Sequence, residues 1–209
     1  AWYNKFRNMN TKIIIGIPIN SFDNPMSRLS NSIDLQTRQI VQRALLINTV
    51  KCFKRENTDI FLISNSKDIE LTAEELNVNF YSANVSGLNN EIKKFSTLIT
   101  KYNKWAICHA DLPYLNKYNI SIFLNEIENN KVVIAESSDS GTPVFGGSVF
   151  YNNFQYGKNS FIEHTNLLKK QKIEFKQIFN KELYFELDTP EDLKIFLKNT
   201  PRWYKKLSI

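Results

Sequence analysis

Apolar and polar positions alternate in blocks along this chain. "KIIIGIPI" (residues 12–19) is an unbroken β-branched run, which fits a strand covered on both faces. The polar stretch "SFDNPMSRLSNS" (21–32) reads as a loop rich in turn formers. Asp34 or Ser32 can then cap a long helix reaching about residue 54, with Ile40, Val41, Ala44, Leu45, Ile47 and Val50 on its apolar face. The pattern repeats. Strands are expected at "DIFLIS" (59–64), "NVNFYSA" (77–83), "KWAICHAD" (104–111) and "KVVIAES" (131–137). Helices are expected between them, at "SKDIELTAEEL" (66–76), "GLNNEIKKFSTLITKY" (87–102) and "NISIFLNEIEN" (119–129). Such alternation predicts an α/β fold with a parallel sheet built from crossovers.

The pattern changes after Ser137. "TPVFGGSVFY" (142–151) reads as a strand, "NSFIEHTNLLKKQ" (159–171) as a helix and "IEFKQIFNKELYFELD" (173–188) as one or two strands. "TPEDLKIFLKN" (189–199) reads as a final capped helix. The sheet should therefore gain antiparallel members late and be mixed. No repeat, low-complexity segment or domain boundary interrupts it.

Composition narrows the class. A chain of 209 residues with 42% hydrophobic content suits one domain with a sizeable core. No apolar run approaches membrane-spanning length, so no membrane partner is expected. Lys and Arg exceed Asp and Glu by 27 to 21, an excess spread along the chain. It fits a solvated lysine surface or a phosphate-rich small ligand better than a nucleic-acid stripe. Cys52 and Cys108 both fall in apolar segments and read as reduced core thiols, which suits the cytoplasm. "AWYNKFRN" (1–8) precedes Met9 and resembles neither a signal peptide nor a common tag; it is set aside as an extension of unknown origin, leaving 9–209 as the domain.

In open α/β sheets, ligands bind beyond the carboxyl ends of the strands. That rule ranks the candidates. "AICHADLP" (106–113) carries an apolar strand into His109 and Asp111 and stops at a proline. A carboxylate there is costly if idle and useful if a cation waits. A turn role is the competing reading for Asp111. Strand alternation would put Glu186 and Asp188 on one face, and three carboxylates would converge if the two strands are neighbours. A Mg²⁺ ion prefers such hard oxygen ligands and can also hold polyphosphate. Asp188 is equally readable as a helix cap in "DTPED", although Thr189 can supply the cap and free it. Arg28 could grip phosphate bidentately or simply be solvated. "YGKNSFIEH" (156–164) sets Gly157 and Ser160 ahead of a helix start, which could bind an anion or merely be capped by Asn159 or Ser160. His164, inside that helix, reads as packing or surface. No P-loop, dinucleotide-binding glycine turn, nucleophile elbow or zinc spacing is present.

Six segments, "PMSRLS", "GLNNEI", "HADLP", "SSDSGTPV", "YGKNSFIEH" and "FELDTPEDL", resemble in order and spacing the CofC/FbiD family, the guanylyltransferases of deazaflavin coenzyme F-420 biosynthesis. The resemblance implies a single-domain, Rossmann-like, three-layer nucleotidyltransferase fold like that of the molybdenum-cofactor nucleotidyltransferases. It implies transfer of GMP from GTP to 2-phospho-L-lactate, phosphoenolpyruvate or 3-phosphoglycerate, with release of pyrophosphate. By the same resemblance Asp111, Glu186 and Asp188 would hold one or two Mg²⁺ ions. Thr142, Gly157 and Ser160 would hold the phospho-acid. Arg28 would face the triphosphate, and Pro18, Gly87, Leu88, Asn89 and His109 would line the nucleotide. The implied partners are these small molecules, and family members are often homodimers.

Four positions depart from the family's usual pattern. Asn20 and Met26 stand where lysines are common, Pro143 replaces the asparagine of a "GTN" turn, and Glu186 replaces an aspartate. Two other readings fit the same residues. One is a nucleotidyltransferase using CTP or a sugar phosphate; the other is a degenerate nucleotide-binding protein without catalysis.

Overall fold

A computed structural model of the protein describes residues 10–205, so the extension at 1–8 lies outside the described residues. The chain begins with strand β1 (Asn10–Pro18), helix α1 (Leu35–Phe53), β2 (Thr58–Ile63), α2 (Lys67–Leu76) and β3 (Asn79–Tyr81). It continues with α3 (Leu88–Ile99), β4 (Tyr102–Cys108), α4 (Lys117–Asn129), β5 (Val132–Ala135) and β6 (Val144–Gly147). It closes with α5 (Ser160–Lys170), β7 (Phe175–Ile178), α6 (Lys181–Tyr184), α7 (Pro190–Lys198) and α8 (Arg202–Lys205).

The seven strands form one sheet in the order β3-β2-β1-β4-β6-β5-β7. Only β6 runs against its neighbours, pairing antiparallel with both β4 and β5. The expected mixed sheet is therefore present, with its one antiparallel strand inside it.

Alternation along β1 explains the three layers. Ile13, Ile15 and Ile17 face one core with Leu46, Val50 and Phe53 of α1 and Ile120, Phe123 and Ile127 of α4. Ile14 faces the other, with Ile92, Phe95 and Ile99 of α3 and Phe161 and Leu168 of α5. Both faces are covered, so the run is apolar throughout. Gly16 completes the second face: a Cβ there would come within 2.6 Å of the Phe95 ring.

A smaller third cluster positions the mouth of the sheet. Leu29, Leu187 and Phe196 are fully buried together with Val41, Leu45 and Leu193. It ties the 3₁₀ turn at Ser27–Leu29 to α1 and α7. Truncating such a buried leucine costs about 2–5 kcal/mol, so this cluster sets the loop geometry firmly.

The segment 173–188 holds one strand, as expected, but the placing of Glu186 and Asp188 on a strand is corrected: residues 185–188 are irregular. The Asn180 side chain accepts the N–H groups of Glu182 and Leu183, which nucleates α6 where a strand was expected. Glu186 and Asp188 thus do not sit on a strand. The segment is held instead by the Leu187 N–H donating to the Asp111 carbonyl at 2.9 Å, by burial of Leu187 and by the Asp188 N–H donating to Asp192 at 3.3 Å.

Candidate active site

The carboxyl ends of β1 and β4, with the start of α3, open into a cleft of about 530 Å³. Its walls include Pro18, Met26, Arg28, Gln42, Gly87, Glu91, His109, Asp111 and Asp188. The sequence placed its ligand at this end of the sheet, and the cleft lies there.

The Asp111 corner is built by the end of β4. The His109 N–H donates to the Pro143 carbonyl at 3.0 Å, which extends the strand's pairing by one step. A ring nitrogen of His109 and one carboxylate oxygen from each of Asp111 and Glu186 lie within 4.8 Å of one another. His109 Nε2 and Asp111 Oδ1 are both buried and have no hydrogen-bond partner among the described residues. Burial pushes the Asp111 carboxyl up and His109 down, each pulled back by the other's charge. Burial, aided by the Asp111 and Asp139 charges, pushes Glu186 up to about 9. Glu186 is thus protonated at neutral pH and shares its proton with Asp139. Asp139 itself stays below the usual range: burial would raise it, but the Ser137 hydroxyl and the Gly141 N–H more than offset that. Gly141 is required by this crowding, because a Cβ there would meet Ser137 Oγ at 2.6 Å and Glu186 Oε2 at 3.3 Å.

Asp188 is placed differently. Thr189 and Asp192 form a reciprocal capping box at the start of α7, so the Asp188 side chain is free of that duty. It pairs with Arg28, both side chains remaining accessible at 41% and 69% exposure. Arg28 sits on the 3₁₀ turn, which Met26 enters with a left-handed backbone. Buried Arg38 anchors that loop through the Asn24 side chain and the Pro25 carbonyl. Neither Asn20 nor Met26, both in the cleft wall, offers the positive charge of a lysine.

A second corner lies behind the first. Thr142, Ser160 and His164 are buried together. The Gln155 N–H donates to His164 Nε2 at 2.8 Å, so the imidazole proton must sit on Nδ1. Nδ1 then donates to Thr142 Oγ1 at 3.0 Å, and Ser160 Oγ lies 3.1 Å from the same oxygen. Burial, reinforced by His109, drives the His164 pKa down to about 3, so the ring stays neutral. The sequence reading left His164 as packing or surface; it is packing with a fixed tautomer. Gly157, at φ +136°, has open space beside it. Two donors at the start of α5 are already used: the Ser160 N–H bonds to Gly157 and the Phe161 N–H to Ser140. Asn159 occupies the cap position without a side-chain bond.

On the remaining wall, Gly87 turns with φ +93° into α3, a conformation that favours glycine. The Asn89 side chain does not face the cleft: it bonds the backbone of Tyr156 in both directions, at 2.9 and 2.6 Å. It joins the two corners structurally. Glu91, which sequence reasoning passed over, lines the cleft one helical turn beyond Gly87. Cys52 and Cys108 are buried and free, as expected of core thiols. No helix among the described residues is long and apolar enough to cross a membrane.

Comparison with known proteins fits this geometry. The family described as "Guanylyl transferase CofC like" matches residues 11–206. A 2-phospho-L-lactate guanylyltransferase of Methanosphaera stadtmanae is 28% identical over 194 residues, covering 87% of this chain and 82% of that one. The protein of the same name from Methanocaldococcus jannaschii is 26% identical over 202 residues, covering 95% and 88%. Among solved structures, one described as a nucleotide-diphospho-sugar transferase from Desulfovibrio desulfuricans superposes with TM-score 0.77 at 14% identity, covering 90% of this chain and 87% of that one. A 4-diphosphocytidyl-2C-methyl-D-erythritol synthase from Anaerococcus prevotii gives TM-score 0.58 at 12% identity, covering 90% and 99%. At such identities the solved structures establish the α/β fold alone. The match along nearly the whole domain establishes more: this chain belongs to the CofC-like guanylyl transferase family.

Proposed function

We propose that this protein transfers GMP from GTP to the phosphate of a small phospho-acid, such as 2-phospho-L-lactate, in the synthesis of a deazaflavin coenzyme. An oxygen of the acceptor phosphate forms a bond to the α-phosphorus of GTP, and the bond from that phosphorus to the β-bridging oxygen breaks. Pyrophosphate leaves. The nucleophile is already an anion, so no general base is needed. The enzyme's task is to bring two anions together in line and to neutralise charge as it shifts to pyrophosphate.

The observation that carries the reading is the grouping of Asp111 with His109 and Glu186 beside a cleft whose wall also carries the Arg28–Asp188 pair. A buried, unpartnered Asp111 oxygen beside a carboxyl kept protonated by its neighbours fits a cation site, since a cation would relieve both. Asp111 and Glu186 would hold Mg²⁺ with Asp188 close by. When bound, the ion supplies electrostatic stabilisation of the phosphates. Arg28 trades its exposed partner Asp188 for the triphosphate at little cost, because accessible pairs are weak. The open backbone at Gly157, beside the Thr142–Ser160 hydroxyl pair already engaged with His164, is where the acceptor's phosphate would sit. His109 and Pro18 border the nucleotide beside them.

Pyrophosphate release tests this. The protein is incubated with GTP and Mg²⁺ plus 2-phospho-L-lactate, phosphoenolpyruvate or 3-phosphoglycerate, with CTP and ATP as controls. Release is expected only with GTP and one of the acids. A folded protein silent with all three would overturn the acceptor class, and equal release with CTP would overturn the nucleotide.

A further inference from the structure

We propose that Glu91 is the group that selects guanine over the other bases in this cleft. The inference rests on the cleft being the nucleotide site. Its walls fall into two chemically different parts. Arg28, Asp111 and Asp188 suit phosphate and cation. The wall from Gly87 to Glu91 carries one ionisable side chain, Glu91, which none of those groups pairs with.

Glu91 is held over the end of β2. Asn65, just past β2, accepts bonds from the Ser82 hydroxyl and the Asn84 N–H, both at 3.0 Å, and donates to the Val85 carbonyl at 2.6 Å. Thus fixed, its amide reaches Glu91 Oε1 only at 3.5 Å. The half-buried carboxylate is therefore oriented but still has acceptor capacity. Asp111 lies past the end of β4. Glu91 and Asp111 both line this cleft, so a nucleotide held there can reach both.

A carboxylate accepts and cannot donate. Guanine presents two adjacent donors on its pairing edge, N1–H and the 2-amino group, which match both carboxylate oxygens. Adenine and cytosine present a ring-nitrogen acceptor at that place, which the carboxylate repels. Uracil presents one N–H between two carbonyls. The geometry thus accepts guanine and penalises the other three. Glu91 also complements the α3 dipole, but that role distinguishes no base.

Calorimetric binding of GTP, ITP and ATP with Mg²⁺ to the protein and to Glu91→Gln tests this, with melting curves confirming the fold of both. ITP lacks only the 2-amino group. The protein should bind GTP about ten-fold more tightly than ITP and about a hundred-fold more tightly than ATP, the scale of a lost bidentate contact. In Glu91→Gln the GTP affinity should fall at least ten-fold and the GTP-to-ITP ratio collapse to about three or less. An unchanged ratio in the variant would overturn the role of Glu91 while leaving guanylyl transfer standing. A folded protein that binds none of the three nucleotides would overturn the proposed function and this assignment with it.

Discussion

The protein holds two histidines that both pack against the Tyr156 ring, His164 buried and His109 half-buried, and their surroundings are opposite. His164 has a partner for each ring nitrogen, and its chain of bonds runs from the Gln155 backbone to the Thr142 and Ser160 hydroxyls. His109 has a buried Nε2 with no partner among the described residues, beside an Asp111 oxygen in the same condition. A satisfied network contributes stability and fixes geometry; an unsatisfied one costs stability and is kept for a ligand. On the proposed reading the second corner holds the framework, and the first is where a cation would be met.

The largest expected effect separates the two directly. Asp111→Asn should lower GMP transfer on the order of 10³-fold or more, since it removes charge that positions the cation. Its melting temperature should hold or rise, because a buried, unpaired carboxylate is lost. A variant with near-normal turnover would erase the distinction between the corners.

Exchanging the histidines should reverse the pattern. His164→Ala should cost about 2–4 kcal/mol in urea unfolding, combining a cavity with two orphaned partners. His109→Ala should cost under about 1 kcal/mol, as nothing is left unpaired, and should instead weaken nucleotide binding. Equal losses would show that both are scaffold.

Acidity sharpens the contrast. Glu186 titrates near 9 in the folded chain against an ordinary 4.5, so its contribution to stability is full below about 4.5 and is lost as pH rises through 9. His164 runs the other way: at about 3 against 6.5, its contribution is full above 6.5 and is lost as pH falls through 3. Added Mg²⁺ or Mn²⁺ competes with the Glu186 proton. It should therefore raise the melting temperature more at pH 8.5 than at pH 6, and His164→Asn should leave that cation effect unchanged.

The smallest effect on the fold belongs to Arg28. Arg28→Ala should shift stability by less than about 1 kcal/mol, because its pair with Asp188 is accessible. It should nonetheless raise the KM for GTP more than it lowers kcat. A large loss of stability would mean that the pair holds the loop rather than waiting for phosphate.

The difference between the corners also marks what the chain's pattern could reveal. Blocks of β-branched residues announced a covered sheet, and the strand stopping at Asp111 marked a residue that lines the cleft, because both are local signals. Thr189 was legible as the cap that frees Asp188, again from adjacent residues. The irregular path of 185–188 was not legible: apolar alternation looks alike in a strand and in an extended segment bonded to Asp111. Nor was the insertion of β6 between β4 and β5, which depends on pairing between distant segments. His164 looked ordinary because its meaning lies in Thr142 and Gln155, far along the chain or on a loop. Glu91 was hidden by its place in a first turn, where an acidic residue needs no further reason.

The most direct test of the account is cation binding at the unsatisfied corner. Mn²⁺ binding, read by its electron paramagnetic resonance signal at pH 7.5, should be present in the protein, be lost in Asp111→Asn and survive in His164→Asn. Undiminished Mn²⁺ binding by a folded Asp111→Asn protein would contradict the claim that this corner is kept unpaired for a cation.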